Sequence, residues 1–330
     1  MMEERPLMND DFSTVVALSD NRRGCSSKPA SRHRKMKSDA WMKTTSIIIL
    51  ILGLVTVTYP FVRQYISGLE QSRLTEASSH AVSNWPYPQA EVALKNAELY
   101  NKALAASDQP VMGEAVDPFK EKGSVTQTES EADARYQHLL DQGDGIMGSI
   151  LIPKISVNLP IYHGTSQAAL ASGSGHLYGS SLPVGGESTH AVITGHRGMV
   201  DSLMFTRLDE MKIGDSFYIK SMNRTIAYRV DRIRIIEPDD TSSLRIERGV
   251  DRVTLMTCTP YGINSHRLLV SATRAEMPIP VPYPNEAKKD FKVVVFIVSC
   301  FAGVSLLATF FVLDNKKALI ARHAQEFKKI

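Results

Sequence analysis

Apolar residues along this chain fall into three textures. The first is two uncharged runs, TTSIIILILGLVTVTYPFV at 44–62 and VVVFIVSCFAGVSLLATFFVL at 293–313. Each has roughly the 20 residues a helix needs to cross a hydrocarbon core of about 30 Å, so both predict transmembrane helices. The second texture follows the first run. YISGLEQSRLTEASSHAVSNW and QAEVALKNAELYNKALAA place Val92, Leu94, Ala97, Leu99, Ala103 and Leu104 near helical spacing, which predicts two helices. A shorter helix is expected over 129–142, where Gly143 and Gly145 end it. The third texture runs from Ile146 to Ala275. Short β-branched and apolar runs such as IMGSILIPKI, VNLPIYHG, HAVITG, SFYIKSM, RTIAYRVDRIRII, RVTLMTC and RLLVSATR alternate with Gly, Pro, Asn and Asp. Many short strands at this spacing predict a sandwich or barrel.

Between these textures the chain divides into segments. Residues 1–43 are polar and basic, and are expected to be a disordered tail. Residues 63–142 hold the predicted helices and a long loop, 105–127, punctuated by Pro110, Gly113, Pro118 and Gly123. The strand-rich domain is expected over 143–276. Proline-rich MPIPVPYPNE opens a semi-rigid linker, 277–292, to the second apolar run, and 314–330 forms a last tail. Lys28, Arg32, Arg34, Lys35, Lys37 and Lys43 precede the first run, whereas Arg63 and Arg73 are sparse after it. Basic flanks stay on the cytoplasmic side, so both termini are expected inside and 63–292 outside the cell. Lys316, Lys317, Arg322, Lys328 and Lys329 agree, while Lys288, Lys289 and Lys292 pull the other way. The alternatives are a cleaved signal peptide for the first run and a buried core helix for the second. The first is disfavoured by its long charged leader and the lack of an A-x-A-like site.

Charge and cysteine usage narrow the function. Lys+Arg 38 against Asp+Glu 35 leaves a net charge of +3 over 330 residues, too balanced for nucleic-acid binding through phosphate neutralisation. Of the three cysteines, Cys25 lies in the first tail and Cys300 in the second apolar run. Cys258 therefore has no disulfide partner in the exported segment, where thiols commonly oxidise in pairs. It is either a reactive thiol or a small buried hydrophobe.

The surroundings of Cys258 favour chemistry. It closes the strand RVTLMTC, and TPYGINS supplies a turn before the return strand HRLLVSATR, which brings Arg267 beside it. A permanently charged guanidinium steadies a thiolate or a developing oxyanion. A thiol of ordinary pKa also needs a proton partner. In THAVITGHRG, His196 stands just past a strand in a turn between Gly195 and Gly198; His163, His176, His190 and His266 compete, and spacing by itself does not choose. A zinc site built from Cys258, His266, His190 and His196 is a weaker alternative, because no C-x₂-C or tight H-x₃-H pair supports it. No phosphate loop, serine elbow, paired carboxylates or EF-hand-like calcium spacing is present, and no cofactor is expected.

TLMTC followed by HRLLV, with TGHRG upstream, resembles the signature of the sortases, extracellular cysteine transpeptidases of Gram-positive bacteria. The likeness extends through ISVNLPIYHGTS, GSGHLYGSSLPVGGESTHAVITGHRG and IEPDDTSSLRIERGVDRVTLMTCTPYGINSHRLLV. A second apolar run and the triplet Asp117-Pro118-Phe119 look like the class C, pilin-polymerising subgroup. The resemblance implies a mainly β fold, an eight-stranded sortase-type β-barrel with added N-terminal helices, flanked by two transmembrane helices. It implies Cys258 as nucleophile, His196 as acid/base and Arg267 as stabiliser of substrate or oxyanion. Asp117, Pro118 and Phe119 would form a lid, with Phe119 where some members have tryptophan. The implied reaction cleaves an LPXTG-like sorting signal between Thr and Gly and transfers the acyl group to a pilin lysine. The alternatives are a housekeeping sortase attaching proteins to the cell-wall precursor, a non-catalytic pilus scaffold, and a cysteine protease that only hydrolyses.

Overall fold

The computed structural model describes residues 32–107, 109, 129–199, 201–278 and 298–305, with 309, 313 and 320 as isolated positions. The lid triplet Asp117-Pro118-Phe119 and most of the linker lie outside the described residues, as does part of the second apolar run, of which 298–305 are helical.

The first apolar run and the helix expected after it form one helix, α1 (Arg32–Ser83), with Pro60 inside it. Proline removes one i→i−4 bond, and its neighbours Val57, Thr58, Tyr59, Phe61 and Val62 are not strong helix formers, so the helix passes Pro60 against local preference. Within α1, residues Thr44–Ser83 include a stretch long and apolar enough to cross a membrane, and Ile48, Ile49, Leu52 and Val55 are exposed there. Further along, Gln71, Thr75, Ser78 and Val82 are buried. They are spaced at four, three and four residues and so share one helix face. That docking stripe is mostly polar, and Gln71 Nε2 donates to Ser202 Oγ at 3.1 Å.

Helix α2 (Gln89–Ala106) has the predicted bounds. Its buried Asn101 makes a two-way clasp with the barrel: Nδ2 donates to the Leu182 carbonyl at 3.0 Å and Oδ1 accepts from the Leu182 N–H at 2.7 Å. The single helix expected over 129–142 is instead two, α3 (Glu129–Ala132) and α4 (Ala134–His138). Asp133 breaks it, because its carboxylate accepts from the Tyr136 N–H at 3.0 Å as an N-cap.

Eight strands close a barrel in the order β1-β2-β3-β4-β7-β8-β6-β5. They are β1 (Ile146–Ile152), β2 (Val157–His163), β3 (Ser174–His176), β4 (Thr189–Thr194), β5 (Ser216–Ser221), β6 (Arg224–Ile236), β7 (Asp251–Thr259) and β8 (His266–Ala275). A short helix, α5 (Gln167–Ser172), joins β2 to β3. The β2–β3 and β4–β7 pairs are parallel and the rest antiparallel. Closure removes free edges from the paired part of the sheet. Seven strands fall on predicted runs, the first of which ends early because Pro153–Ile155 turn into a single 3₁₀ turn, whereas β3 has no alternating pattern of its own. It exists because Gly175 lets the chain press in: a Cβ there would lie 2.4 Å from the Gly164 carbonyl oxygen.

Strand alternation sorts the side chains into two layers. Ala191, Ile193, Val253, Leu255, Leu268 and Val270 join Met147, Ile150, Phe217 and Tyr228 in the main core. Val192, Met256 and Leu269, one residue out of phase, pack with Leu177 and Leu244 in a second cluster. Because successive side chains alternate faces, β4, β7 and β8 each present their other parity to the outside of the barrel.

Candidate active site

Parity decides which way the three residues singled out from sequence point. Cys258 shares its face of β7 with Thr254 and Met256, and Arg267 shares its face of β8 with Leu269 and Ser271. His196 lies two residues past the end of β4, where the parity of His190, Val192 and Thr194 extends to it through the Gly195 N–H bond to Met256. All three therefore belong to the outer face, with the second cluster beneath them.

Register then brings them together. Cys258 and Arg267 are direct cross-strand partners in the antiparallel β7–β8 pair. On the other side, β4 and β7 run parallel with Thr194 opposite Met256. The ladder continues one step further, since the Gly195 N–H donates to the Met256 carbonyl at 3.1 Å. Two side-chain bonds extend the same register, Thr257 Oγ1 to the Gly195 carbonyl at 2.7 Å and Arg197 Nη1 to Thr259 Oγ1 at 3.1 Å. Each links residues 62 apart, and His196 and Cys258 stand between them with that same separation.

The turn carrying His196 is set by close packing. A Cβ on Gly195 would meet the Phe205 ring at 2.8 Å, and the Phe205 N–H donates to the His196 carbonyl at 3.0 Å. Gly198 has φ +83°, a left-handed conformation that favours glycine, with Tyr261 against it. Arg267 is pinned by its own turn, Nη1 donating to the carbonyls of Asn264 at 3.1 Å and His266 at 3.0 Å. Cys258 and Arg267 are each 3% exposed. Burial holds the His196 imidazole below its ordinary pKa, favouring the neutral ring.

The competing histidines have other work. His176 Nδ1 bonds the Tyr136 hydroxyl at 2.8 Å and Nε2 the Ser181 carbonyl at 2.8 Å. His190 Nδ1 bonds the Arg245 carbonyl at 2.8 Å and Nε2 meets Thr254 Oγ1 at 2.7 Å. Burial lowers both rings to a pKa of about 4. His163 bridges the carbonyls of Gly145 and Leu139 at 2.9 and 2.7 Å, and His266 contacts Ser265 and Glu237. The zinc alternative loses His190, both of whose ring nitrogens are engaged. Among the described residues no group of three or more His, Cys, Asp or Glu is arranged to hold a metal ion. Sequence reasoning did not single out Arg197 or Thr257, because their partners become visible only once the β4–β7 register is known.

The site thus joins a buried thiol on the barrel's outer face, an arginine across the strand pair and a histidine in parallel register, the groups that cysteine acyl transfer uses. The comparisons with known proteins agree. Residues 150–275 match the sortase domain model. Sortase D of Bacillus subtilis is 31% identical over 140 residues, 42% of this chain and 65% of that relative, so the chain spans just under two thirds of its length. Sortase C1 of Streptococcus agalactiae is 40% identical in its solved structure, covering 61% of this chain and 94% of that one with a TM-score of 0.53. Sortase C-1 of Actinomyces oris is 44% identical, covering 57% and 99% with a TM-score of 0.51. The chain belongs to the sortase family of cysteine transpeptidases, and its solved relatives place it in class C.

Proposed function

We propose that this protein is a membrane-anchored, pilin-polymerising sortase in which Cys258 is the nucleophile, His196 the acid/base and Arg267 the stabiliser of substrate or oxyanion. The observation that carries the reading is the common register of His196 and Cys258, with Arg267 as the cross-strand partner of Cys258.

The substrate is an LPXTG-like sorting signal. The neutral His196 ring accepts the Cys258 thiol proton as sulfur attacks the threonine carbonyl, and the Arg267 guanidinium faces the developing negative charge. The C–N bond to glycine breaks, His196 passes the proton to the departing amine, and a thioester remains on Cys258. A neutral lysine amine of the next pilin then attacks the thioester. His196 takes the amine's proton and returns it to the leaving sulfur, so an isopeptide bond replaces the original amide with no net change in protons.

Two further features belong to the proposal. Two membrane spans, 44–62 and 293–313, would hold the 143–276 domain outside the cell with both termini cytoplasmic, in the layer where membrane-held sorting signals reside. Asp117, Pro118 and Phe119 would cover the thiol. Supporting a docked cover, Gln109 just ahead of this segment is 4% exposed and reaches both the Gly179 carbonyl at 3.3 Å and the Ile246 N–H at 2.7 Å. Pilin as partner is supported by the Streptococcus pneumoniae sortase C structure, described in terms of pilin substrate specificity, which is 37% identical to this chain.

The test is mass spectrometry of the full chain in detergent with an LPXTG-type peptide and a pilin-derived lysine peptide. A thioacyl adduct on Cys258 and a lysine-linked product support the reading. A product carrying only a free threonine carboxylate, with acceptor amine in excess, sinks transpeptidation in favour of hydrolysis.

A further inference from the structure

We infer that Arg197 and Thr257 are positioning residues that hold His196 against Cys258, an inference that rests on the catalytic assignment proposed above. The backbone ladder between β4 and β7 ends where it is most needed. Past the Gly195 N–H the β4 chain leaves the sheet while β7 runs on to Thr259, paired on its other side with β8. Two side chains continue the register instead. Thr257 is fully buried, and its hydroxyl donates to the Gly195 carbonyl at 2.7 Å, one residue before His196. The Arg197 guanidinium donates to Thr259 Oγ1 at 3.1 Å, joining the residues that follow His196 and Cys258.

Neither residue acts on the reacting atoms in this arrangement. By strand alternation the Thr257 side chain leaves β7 on the face opposite Cys258, so it acts through Gly195. The Arg197 side chain is 7% exposed and is engaged on three sides. Nη1 meets Thr259, Nη2 meets Asp209 at 2.5 Å, and the guanidinium carbon lies 6.0 Å from the Tyr261 ring centroid. Serving Thr259 and Asp209 together needs a rigid fork, which lysine lacks. Its Nε is buried without a partner among the described residues, a cost that fits a residue kept for geometry more than for stability.

The test compares Thr257→Val, Thr257→Ser, Arg197→Met, Arg197→Lys and Thr259→Val with the unaltered full chain and Cys258→Ala, all in detergent micelles. Turnover of a fluorogenic LPXTG-type peptide is measured well below each melting midpoint, together with the pH dependence of Cys258 alkylation by iodoacetamide. Misplacing a catalytic pair by an ångström costs on the order of 100-fold. Thr257→Val and Arg197→Met are therefore expected to lower kcat by about 10- to 100-fold with KM within about 2-fold, and to move the alkylation pH midpoint. Thr257→Ser should restore most of the loss. Arg197→Lys should not, and Thr259→Val, which cuts the Arg197 link from its other end, should reproduce the Arg197→Met pH shift. If kcat and the pH midpoint are unchanged in Thr257→Val, Arg197→Met and Thr259→Val while Cys258→Ala is inactive, the positioning role is overturned and the catalytic assignment survives. Turnover by Cys258→Ala overturns both.

Discussion

Cys258 and Arg267 face each other directly across β7 and β8, one step in from Thr259 and His266, the last pair before the turn that joins the strands. Their side chains leave the barrel on the same side, and the turn carbonyls of Asn264 and His266 orient the guanidinium. Arginine therefore arrives already aimed, losing little freedom when charge develops nearby.

Replacing it tests that point. Arg267→Lys keeps the charge but not the planar guanidinium, whose Nη1 donates to both carbonyls. Turnover of an LPXTG-type peptide is expected to fall about 10²–10³-fold, the scale seen when one oxyanion donor is lost. Circular dichroism should show an intact fold, and activity within about threefold of the unaltered protein would remove Arg267 from the mechanism.

The cover proposed over the thiol makes a separate prediction. Asp117→Ala and Phe119→Ala should each speed alkylation of Cys258 by iodoacetamide, since a lid restricts access to a buried nucleophile. Equal rates in all three proteins would dismiss the lid.

Acid should loosen the barrel through His176 and His190. Both have folded pKa values of about 4, below the ordinary imidazole value of about 6.5. The unfolded chain thus binds more protons between those values, and stability falls as pH drops from 6.5 towards 4. At pH 5 each ring should cost about 2 kcal/mol relative to pH 8. Urea midpoints measured at both pH values check this, and His190→Gln should flatten part of the dependence. A midpoint that does not move between pH 8 and 5 would contradict it.

Gly195 offers a packing test. An added methyl would press on the root of the buried Phe205 ring at 2.8 Å, so Gly195→Ala should destabilise by about 1–3 kcal/mol. Because Phe205 also bonds the His196 backbone, kcat should fall more than stability alone explains. In the Gly195→Ala/Phe205→Leu double variant the two losses should be less than additive; strict additivity would mean that the two sites do not press on each other.

Much of this was legible in the chain. Period-two alternation marked seven of the eight strands, and RVTLMTC followed by a Pro-Gly-Asn turn was enough to set Cys258 beside Arg267, because a hairpin pairs neighbours in sequence. The helix over 89–106 was equally plain. Less legible was β3, a three-residue strand whose place depends on Gly175 fitting against Gly164. The break at Asp133 and the fusion of two expected helices into α1 were also hidden, since a capping bond and a tolerated proline are local choices that periodicity does not record.

The sequence by itself determined the apolar runs, the barrel's inward and outward positions and the pairing of Cys258 with Arg267. Choosing His196 from five histidines on physical grounds needed the tertiary structure. That choice depends on β4 lying parallel to β7, a non-local pairing between strands far apart in the chain, with Thr194 opposite Met256 and not one residue to either side. A slip of one residue would turn His196 to the opposite face from Cys258. Register of that kind is set by the closed barrel as a whole, where every strand's core-facing residues must fit at once. For the same reason Arg197 and Thr257, which extend that register past its last backbone bond, could be found only in the folded protein.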